Sequence, residues 1–130
     1  MFKYAKTFSS FSVNDLQTAK EFYSNTLGLE ITDDPMGVLA LNLGGQKIII
    51  YPKDNHEPAT FTVLNFMVPH IETTVNELRS AGVTFEQYDV EGLKTDENGI
   101  SRGIGAPTIS WFKDPAGNIL SIIEIESKIS

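Results

Sequence analysis

The strongest constraint on the fold is a pattern of strands and a helix that occurs twice along the chain. In each copy a strand leads into a helix, the helix ends at a glycine, and three strands follow, which gives the order βαβββ. Equivalent residues keep almost the same separation, since Val13 matches Val68 and Gly28 matches Gly82. The repeat therefore predicts a duplicated α+β unit. The alternative is a single α+β domain whose halves are unrelated.

The first copy is predicted over residues 1–54. Phe11 and Val13 alternate with Ser10 and Ser12, which is typical of a strand with one buried face. Apolar residues at helical spacing follow, and a side chain before them can accept the free N–H groups of the first helical turn. The predicted elements are a strand over 4–13, a helix over about 15–27 capped by Asn14 or Asp15, a strand over 29–32, a turn over 33–37, and strands over 38–43 and 46–51.

The second copy is predicted over residues 60–127, after a linker that contains two prolines, and the whole chain, 1–130, is predicted to be one domain. A long polar and acidic loop interrupts this copy. It is interpreted as a solvated loop, with a cation-recruiting lid as the alternative. The predicted elements are a strand over 61–68, a helix from about Ile71 to Gly82, a strand over 83–90, the loop over 91–107, and strands over 109–113 and 118–125.

Composition excludes several classes of function. The 130 residues carry ten Lys and Arg against seventeen Asp and Glu, a net charge of −7, which excludes a broad basic surface for nucleic acid. There is no cysteine, so disulfides, thiol catalysis and cysteine-ligated metals are excluded. No apolar run approaches the ~20 residues that a membrane span needs. The amino-terminal residues lack the apolar core of a secretory signal, and a cytoplasmic protein with no membrane partner is expected.

Two motifs carry a resemblance to a known family. Val13-Asn14-Asp15-Leu16, followed by Phe22-Tyr23 and Leu27-Gly28-Leu29, resembles the first module of the vicinal oxygen chelate superfamily. This superfamily includes glyoxalase I, bleomycin- and fosfomycin-resistance proteins and extradiol dioxygenases. The run from Trp111 to Asn118, Trp-Phe-Lys-Asp-Pro-Ala-Gly-Asn, resembles the signature near the end of the second module. The resemblance covers nearly the whole chain.

The resemblance implies an architecture and a place for a ligand. The two βαβββ modules would form an incomplete curved barrel with the helices outside and a ligand cleft on the concave face. Small members of the family usually pair, and an open curved sheet leaves edge strands that a partner can cover, so a homodimer is expected.

Family members often hold a divalent metal in this cleft, with one ligand from the first and one from the last strand of each module. Counted from the motifs, the four positions fall on Phe8, Ile49, Val63 and Ser121. Three apolar side chains cannot replace the hydration shell of a cation. We therefore predict no metal and no cofactor at this site.

Three nearby side chains could replace a lost metal ligand. Glu124 is an odd number of residues from Ser121, so on a strand it is expected to face the other side. His56 falls in the linker and His70 at the start of the second helix, and both are interpreted as a solvated loop residue or a helix-start residue rather than metal ligands.

Strand alternation predicts which side chains face the cleft. They combine aromatic, aliphatic and small polar groups, as small-molecule pockets do, although the apolar members could instead fill the interior of the barrel. Trp111 could stack on a planar or cationic ligand or could anchor the core. The predicted ligand-binding residues are Phe8, Ser10, Ile49, Tyr51, Val63, Asn65, Trp111 and Ser121; no catalytic residue is predicted.

Three functions remain open on this evidence. The first is a small-molecule-binding protein similar to the bleomycin-resistance branch, which needs no metal and would take a cationic or aromatic ligand. The second is a glyoxalase-, lyase- or dioxygenase-type enzyme with a relocated metal or a metal-free mechanism. The third is a structural or regulatory role with a collapsed cleft. Whether the protein is an enzyme is thus left open by the sequence.

Overall fold

Strand order is the same in the two halves of the chain. A computed structural model describes residues 1–103 and 106–125, and it divides the chain into two compact units, residues 1–58 and 59–130. The predicted module limits of 1–54 and 60–127 stay predictions, and residue 127 lies outside the described residues.

The first unit contains one four-stranded sheet in the order β1-β4-β3-β2, in which β1 runs parallel to β4 and the other neighbours are antiparallel. A short α-helix follows β1 and continues directly into a π-helical segment. The elements are β1 Ser9–Val13, α1 Leu16–Glu21, the π-helical segment Phe22–Thr26, β2 Ile31–Asp34, β3 Val38–Leu43 and β4 Gln46–Pro52.

The second unit repeats this topology with the sheet order β5-β10-β9-β8, in which β5 runs parallel to β10. A separate two-stranded ribbon, β6-β7, lies in the segment between α2 and β9. The elements are β5 Thr62–Val68, α2 Ile71–Ser80, β6 Asp89–Val90, β7 Leu93–Lys94, β8 Ile100–Ser101, β9 Ile109–Lys113 and β10 Ile119–Glu124.

The predicted α+β fold of two βαβββ modules is thereby confirmed. In both units the first strand of the module pairs in parallel with the last one, and a helix connects the first strand to the rest of the sheet. Each four-stranded sheet is open within the described residues. In this part of the chain, no helix is both long and apolar enough to cross a membrane.

Several predicted boundaries were wrong. The first strand begins at Ser9 rather than at residue 4, and Asp33 and Asp34 belong to β2 instead of a turn. Asp33 can sit in a strand because its carboxylate pairs with the Lys20 ammonium at 2.6 Å, near the end of α1. Turn-forming composition was therefore overridden by a contact with the helix.

The strand predicted over 83–90 is also largely absent. Only Asp89 and Val90 form a strand, and upstream of them a single bridge joins Phe85 to Phe112 of β9. The edge of the second sheet is supplied instead by β8, which falls within the predicted loop 91–107. Burial of Val83 and Phe85 keeps the alternating pattern although the ladder of hydrogen bonds is not continuous.

At the start of each helix, a side chain accepts a hydrogen bond from a free backbone N–H group. Asp15 is the N-cap of α1, and its carboxylate accepts the Thr18 N–H at 3.1 Å. At α2 the acceptor comes from a distant strand, because Glu124 of β10 accepts the Ile71 N–H at 3.0 Å. Glu124 therefore faces the helix, as its odd separation from Ser121 on the strand predicted. Gly28, with a left-handed φ of 69°, ends the first helical region.

Alternation along the strands separates a buried face from a second face in each sheet. On the face opposite the predicted ligand-binding residues, the strand side chains are buried, except that Leu64 and Phe66 are half-buried. Ile71 and Val75 of α2 are also buried, and α2 contacts β10. The buried strand residues on this face are Phe11, Val13, Ile48, Ile50, Leu120 and Ile122.

Candidate functional site

Three predicted ligand-binding residues form a row across the second sheet. Ser121 of β10 is the register partner of both Asn65 on β5 and Trp111 on β9. Register partners project from the same side of a sheet. Their neighbours Leu120 and Phe112 are buried on the opposite side of the sheet. We call Asn65, Ser121 and Trp111 the polar row.

A hydrogen bond connects two members of the polar row. Ser121 is fully buried, and its hydroxyl donates to Oδ1 of the exposed Asn65 side chain. The bond satisfies the buried hydroxyl, as a buried polar group requires. It also holds the Asn65 amide in one orientation, with its NH2 group available as a donor at an exposed position.

An aromatic pair extends the polar row. The rings of Trp111 and Tyr88 meet edge to face, with centroids 5.3 Å apart and an interplanar angle of 85°. Beside them, the Glu86 carboxylate lies 3.8 Å from the Lys113 ammonium. Burial, together with the negative charge of Glu86, raises the pKa of Tyr88, so its phenol stays protonated and can donate a hydrogen bond.

Tyr88 and Glu86 were missed by the analysis of the sequence. The cleft-facing residues were taken from other strands, and none was assigned from the segment 83–90. A usable signal was present, because Val83 and Phe85 are apolar and alternate with Glu86 and Tyr88. In the structure, Val83 and Phe85 are buried, whereas Glu86 and Tyr88 are half-buried. Period-two alternation thus survives where the strand itself does not.

The first unit holds four of the predicted ligand-binding residues. Ser10 is the register partner of Ile49, and Tyr51 is the partner of Ser12. Phe8 directly precedes β1 and is 65% exposed, beside a surface cavity of about 340 Å3. The four residues are Phe8, Ser10, Ile49 and Tyr51, and the four in the second unit are Val63, Asn65, Trp111 and Ser121.

His56 is not the solvated loop residue that was predicted. Its side chain is half-buried, and Nδ1 lies 2.7 Å from the hydroxyl oxygen of Ser12 in β1. The backbone makes this contact possible because the His56 N–H donates to the Lys53 carbonyl and turns the chain back after β4. His70, in contrast, is exposed and immediately precedes α2, as predicted.

The side chains at the family's four metal-ligand positions do not suit a divalent cation. The side chains of Phe8, Ile49 and Val63 have no atom that can coordinate a metal ion. The hydroxyl of Ser121 already donates a hydrogen bond to Asn65. Among residues 1–103 and 106–125, no three His, Cys, Asp or Glu side chains are grouped closely enough to hold a metal ion. No chemical step can therefore be derived through a metal from these residues, and a metal-free protein stays a prediction.

The signature motif after β9 builds a turn. One oxygen of the buried Asp114 carboxylate accepts the N–H groups of Ala116 and Asn118, at 3.0 and 2.8 Å. The other accepts the Asn118 side-chain amide at 3.0 Å. Gly117 has a φ of 85°, which other residues rarely adopt. In this chain the motif thus sets the β9–β10 register and with it the positions of Trp111 and Ser121.

The acidic segment between β7 and β9 is connected to α2. Arg102 pairs with Asp96 and, at 2.5 Å, with Glu72 in the first turn of α2. Burial alone would raise the pKa of Asp96, but hydrogen bonds from the Ile100 N–H, Arg102 and the Asn98 N–H, with the charge of Arg102, lower it. The ion pair between Arg102 and Glu72 thus connects the described part of the segment to α2.

Comparisons with known proteins agree with the duplicated topology. A crystal structure of a glyoxalase family protein from Enterococcus faecalis is 25% identical, with 95% of this chain and all of that chain covered and a TM-score of 0.66. A fosfomycin resistance protein from Listeria monocytogenes is 13% identical over 95% of each chain, with a TM-score of 0.70. A lactoylglutathione lyase from Agrobacterium tumefaciens is 17% identical over 93% of each chain, with a TM-score of 0.67.

The search of curated proteins found no match. The sequence model of the Glyoxalase/Bleomycin resistance protein/Dioxygenase superfamily, however, matches residues 7–122, from just before β1 into β10. The match spans both modules, the polar row and the turn at Asp114. The chain therefore belongs to the glyoxalase/bleomycin resistance/dioxygenase superfamily.

Proposed function

We propose that the protein binds a small molecule and does so without a metal. The observation that carries this proposal is the polar row with its aromatic neighbour Tyr88. It combines an amide held by a hydrogen bond, a buried hydroxyl and two aromatic rings on one side of a sheet. Ligand sites in proteins commonly combine apolar and aromatic surface with a few oriented hydrogen-bonding groups.

The side chains around Trp111 favour an aromatic or cationic ligand. The face of an indole ring attracts planar groups and cations. The Glu86 carboxylate contributes, after burial, to the raised pKa of Tyr88, but the Lys113 ammonium 3.8 Å away offsets its charge, so the indole ring is the feature that favours a cation here. The protein as a whole carries a net charge of −7, which favours the approach of a cation.

We propose ligand contacts for all eight predicted residues, within each unit by itself. Four come from each unit, and the sheet registers group Ser10 with Ile49 in one and Asn65, Ser121 and Trp111 in the other. The modules are proposed to cover residues 1–54 and 60–127 of a single domain. The set also includes Tyr51 on β4, Val63 on β5 and Phe8, which directly precedes β1.

A homodimer is part of the proposal. Both β1 and β5 lie at an edge of their own sheets, where unpaired backbone groups can accept a partner. Phe2 and Tyr4 are 81% and 89% exposed, and large apolar side chains left in solvent are candidates for burial against a partner. Light scattering should give twice the 14.4 kDa chain mass, and a concentration-independent mass near 14.4 kDa would reject the dimer.

We propose a cytoplasmic location because the sequence contains no cysteine and therefore no disulfide, and proteins of a reducing compartment rarely contain disulfides. Cell fractionation with compartment markers tests it. Recovery of the protein outside the cytoplasmic fraction would contradict the proposed location.

The fluorescence of the only tryptophan tests the binding proposal directly. Benzyltrimethylammonium, a cationic aromatic probe, should quench or shift the Trp111 emission saturably, and benzyl alcohol should do so more weakly. Asn65→Ala and Tyr88→Ala should weaken the response, whereas His70→Ala, at an exposed position before α2, should leave it unchanged. No saturable response to either probe would contradict the proposed site.

Metal analysis of the purified protein separates this function from the enzymatic alternative. The proposal predicts no stoichiometric zinc, nickel, iron or manganese after dialysis. A metal retained by the protein would instead support a glyoxalase-, lyase- or dioxygenase-type enzyme with relocated ligands.

A further inference from the structure

A surface cavity in the first unit differs in character from the polar row. It has a volume of about 340 Å3, near the lower end of the range for small-ligand pockets, about 300–1,000 Å3. It lies where the chain enters β1 and where the β3–β4 hairpin turns. Its lining residues are Thr7, Phe8, Ser9, Gly45, Gln46 and Lys47.

None of the residues that line this cavity is acidic, and one of them, Lys47, is basic. Among the lining residues, Lys47 carries an ammonium group, Gln46 an amide, and Thr7 and Ser9 hydroxyls. Lys47 is exposed, and within the described residues no carboxylate forms an ion pair with it. In a protein with seven more acidic than basic residues, a cavity whose only charged side chain is cationic favours an anion.

The same cavity also offers an uncovered aromatic surface. Phe8 is 65% exposed, although most of a phenylalanine side chain is normally removed from water. Gly45 also lines the cavity, and a Cβ added there would meet no atom within 4 Å, so the space beside it is open. A flat ring can therefore lie against Phe8.

We infer that this cavity is a second ligand site, which binds a planar aromatic carboxylate. The ring of the ligand covers Phe8, and its carboxylate accepts hydrogen bonds from the Lys47 ammonium and the neighbouring donors. The site proposed at Trp111 favours a cationic or neutral aromatic ligand, so the two sites differ in the charge of the ligand that they bind. The second site does not depend on ligand binding at the polar row.

Isothermal titration calorimetry with 2-naphthoate tests this site. The intact protein should bind one 2-naphthoate per cavity with a Kd below about 1 mM. The neutral analogue 2-naphthalenemethanol should bind more weakly, because it lacks the charge that Lys47 recognises. Absence of 2-naphthoate binding, or equal affinity for the neutral analogue, would overturn the inference.

Matched variants assign the binding to the cavity. Lys47→Gln should raise the Kd for 2-naphthoate about fivefold, the upper end expected for an exposed charge pair. Lys53→Gln removes the same charge from an exposed position in the same unit outside the cavity lining, and it should leave the Kd unchanged. Equal effects of the two variants would show only a general charge effect and would overturn the inference.

The contribution of the ring is tested by Phe8→Ala, which should weaken binding of both naphthalene compounds. Unchanged binding in this variant would also overturn the inference. Because the Phe8 and Lys47 side chains are exposed, both variants should retain the wild-type urea midpoint. Failure of the Trp111 fluorescence titration with benzyltrimethylammonium would reject the polar row alone, so the two outcomes are distinguishable.

Discussion

Replacing Phe112 by alanine should destabilise the protein far more than replacing its neighbour Trp111. The two residues are adjacent on β9 but belong to opposite faces of the sheet. Phe112 is 1% exposed and packs edge to face against Phe85, with ring centroids 5.6 Å apart. Trp111 is only half-buried and contacts Tyr88. The pair of variants therefore compares a core residue with a proposed site residue on one strand.

The expected size of the Phe112 effect follows from its burial. A buried phenylalanine ring removes about 150–250 Å2 from water, which at about 25 cal/mol per Å2 is worth about 4–6 kcal/mol. Alanine retains part of this contribution, and measured core substitutions of this kind cost about 3–5 kcal/mol. For Trp111→Ala the loss of one aromatic contact and partial burial should cost about 1–2 kcal/mol.

Urea unfolding followed by far-ultraviolet circular dichroism measures both costs without relying on tryptophan fluorescence. At an m value of about 2 kcal/mol/M, Phe112→Ala should lower the midpoint by about 2 M and Trp111→Ala by less than about 1 M. Ligand binding should respond in the opposite order, with Trp111→Ala losing affinity for benzyltrimethylammonium in isothermal titration calorimetry, since this variant has no tryptophan to report binding. If Trp111→Ala unfolds the protein and Phe112→Ala is silent, the register of β9 is reversed and the polar row is wrong.

Three further variants test contacts that support the sites. Asp114→Ala removes the acceptor for two backbone N–H groups in the β9–β10 turn, so its free energy of unfolding in urea should fall by about 2–4 kcal/mol; an unchanged midpoint would contradict a structural role. Ser12→Ala breaks the hydrogen bond with His56 and should lower the free energy of unfolding by about 0.5–1.5 kcal/mol in the same assay. The cost of Ser12→Ala should be smaller when His56 has also been replaced by alanine, because the hydrogen bond is then already absent. The pKa of Asp96 is lowered by folding, so its carboxylate stabilises the protein above the ordinary aspartate pKa, and this contribution is lost as the pH falls through the lowered value. On acidification, Asp96→Asn should therefore lose less free energy of unfolding than the wild type. The difference between the two losses should be under about 1 kcal/mol because the Asp96 side chain is 35% exposed. Parallel plots of stability against pH for the two proteins would refute this prediction.

Local patterns in the sequence were sufficient for the repeat and for most strands. The predicted strand at Val38–Leu43 and the one at Ile109–Lys113 have the observed bounds, because each lies between turns that glycine or proline defines. Strand alternation also assigned Trp111 and Phe112 to opposite faces. Period-two patterns are reliable here since a one-residue shift would move a buried ring to the exposed face.

The sequence alone did not predict contacts made by residues far apart in the chain. His56 was interpreted as solvated, but the turn after β4 returns it to Ser12, 44 residues away. Glu124 accepts the first N–H of α2 across 53 residues, and no spacing rule predicts such a partner. Tyr88 joins Trp111 although its own segment forms no continuous strand.

The division between the two kinds of information has a physical basis. Hydrophobic periodicity and turn residues act within a few positions of the chain, so the sequence by itself determined the duplicated βαβββ order and the buried faces. Pairing between strands and the closing of long loops depend on tertiary packing. Only the tertiary structure therefore placed Asn65, Ser121 and Trp111 in one row and added Tyr88 to it.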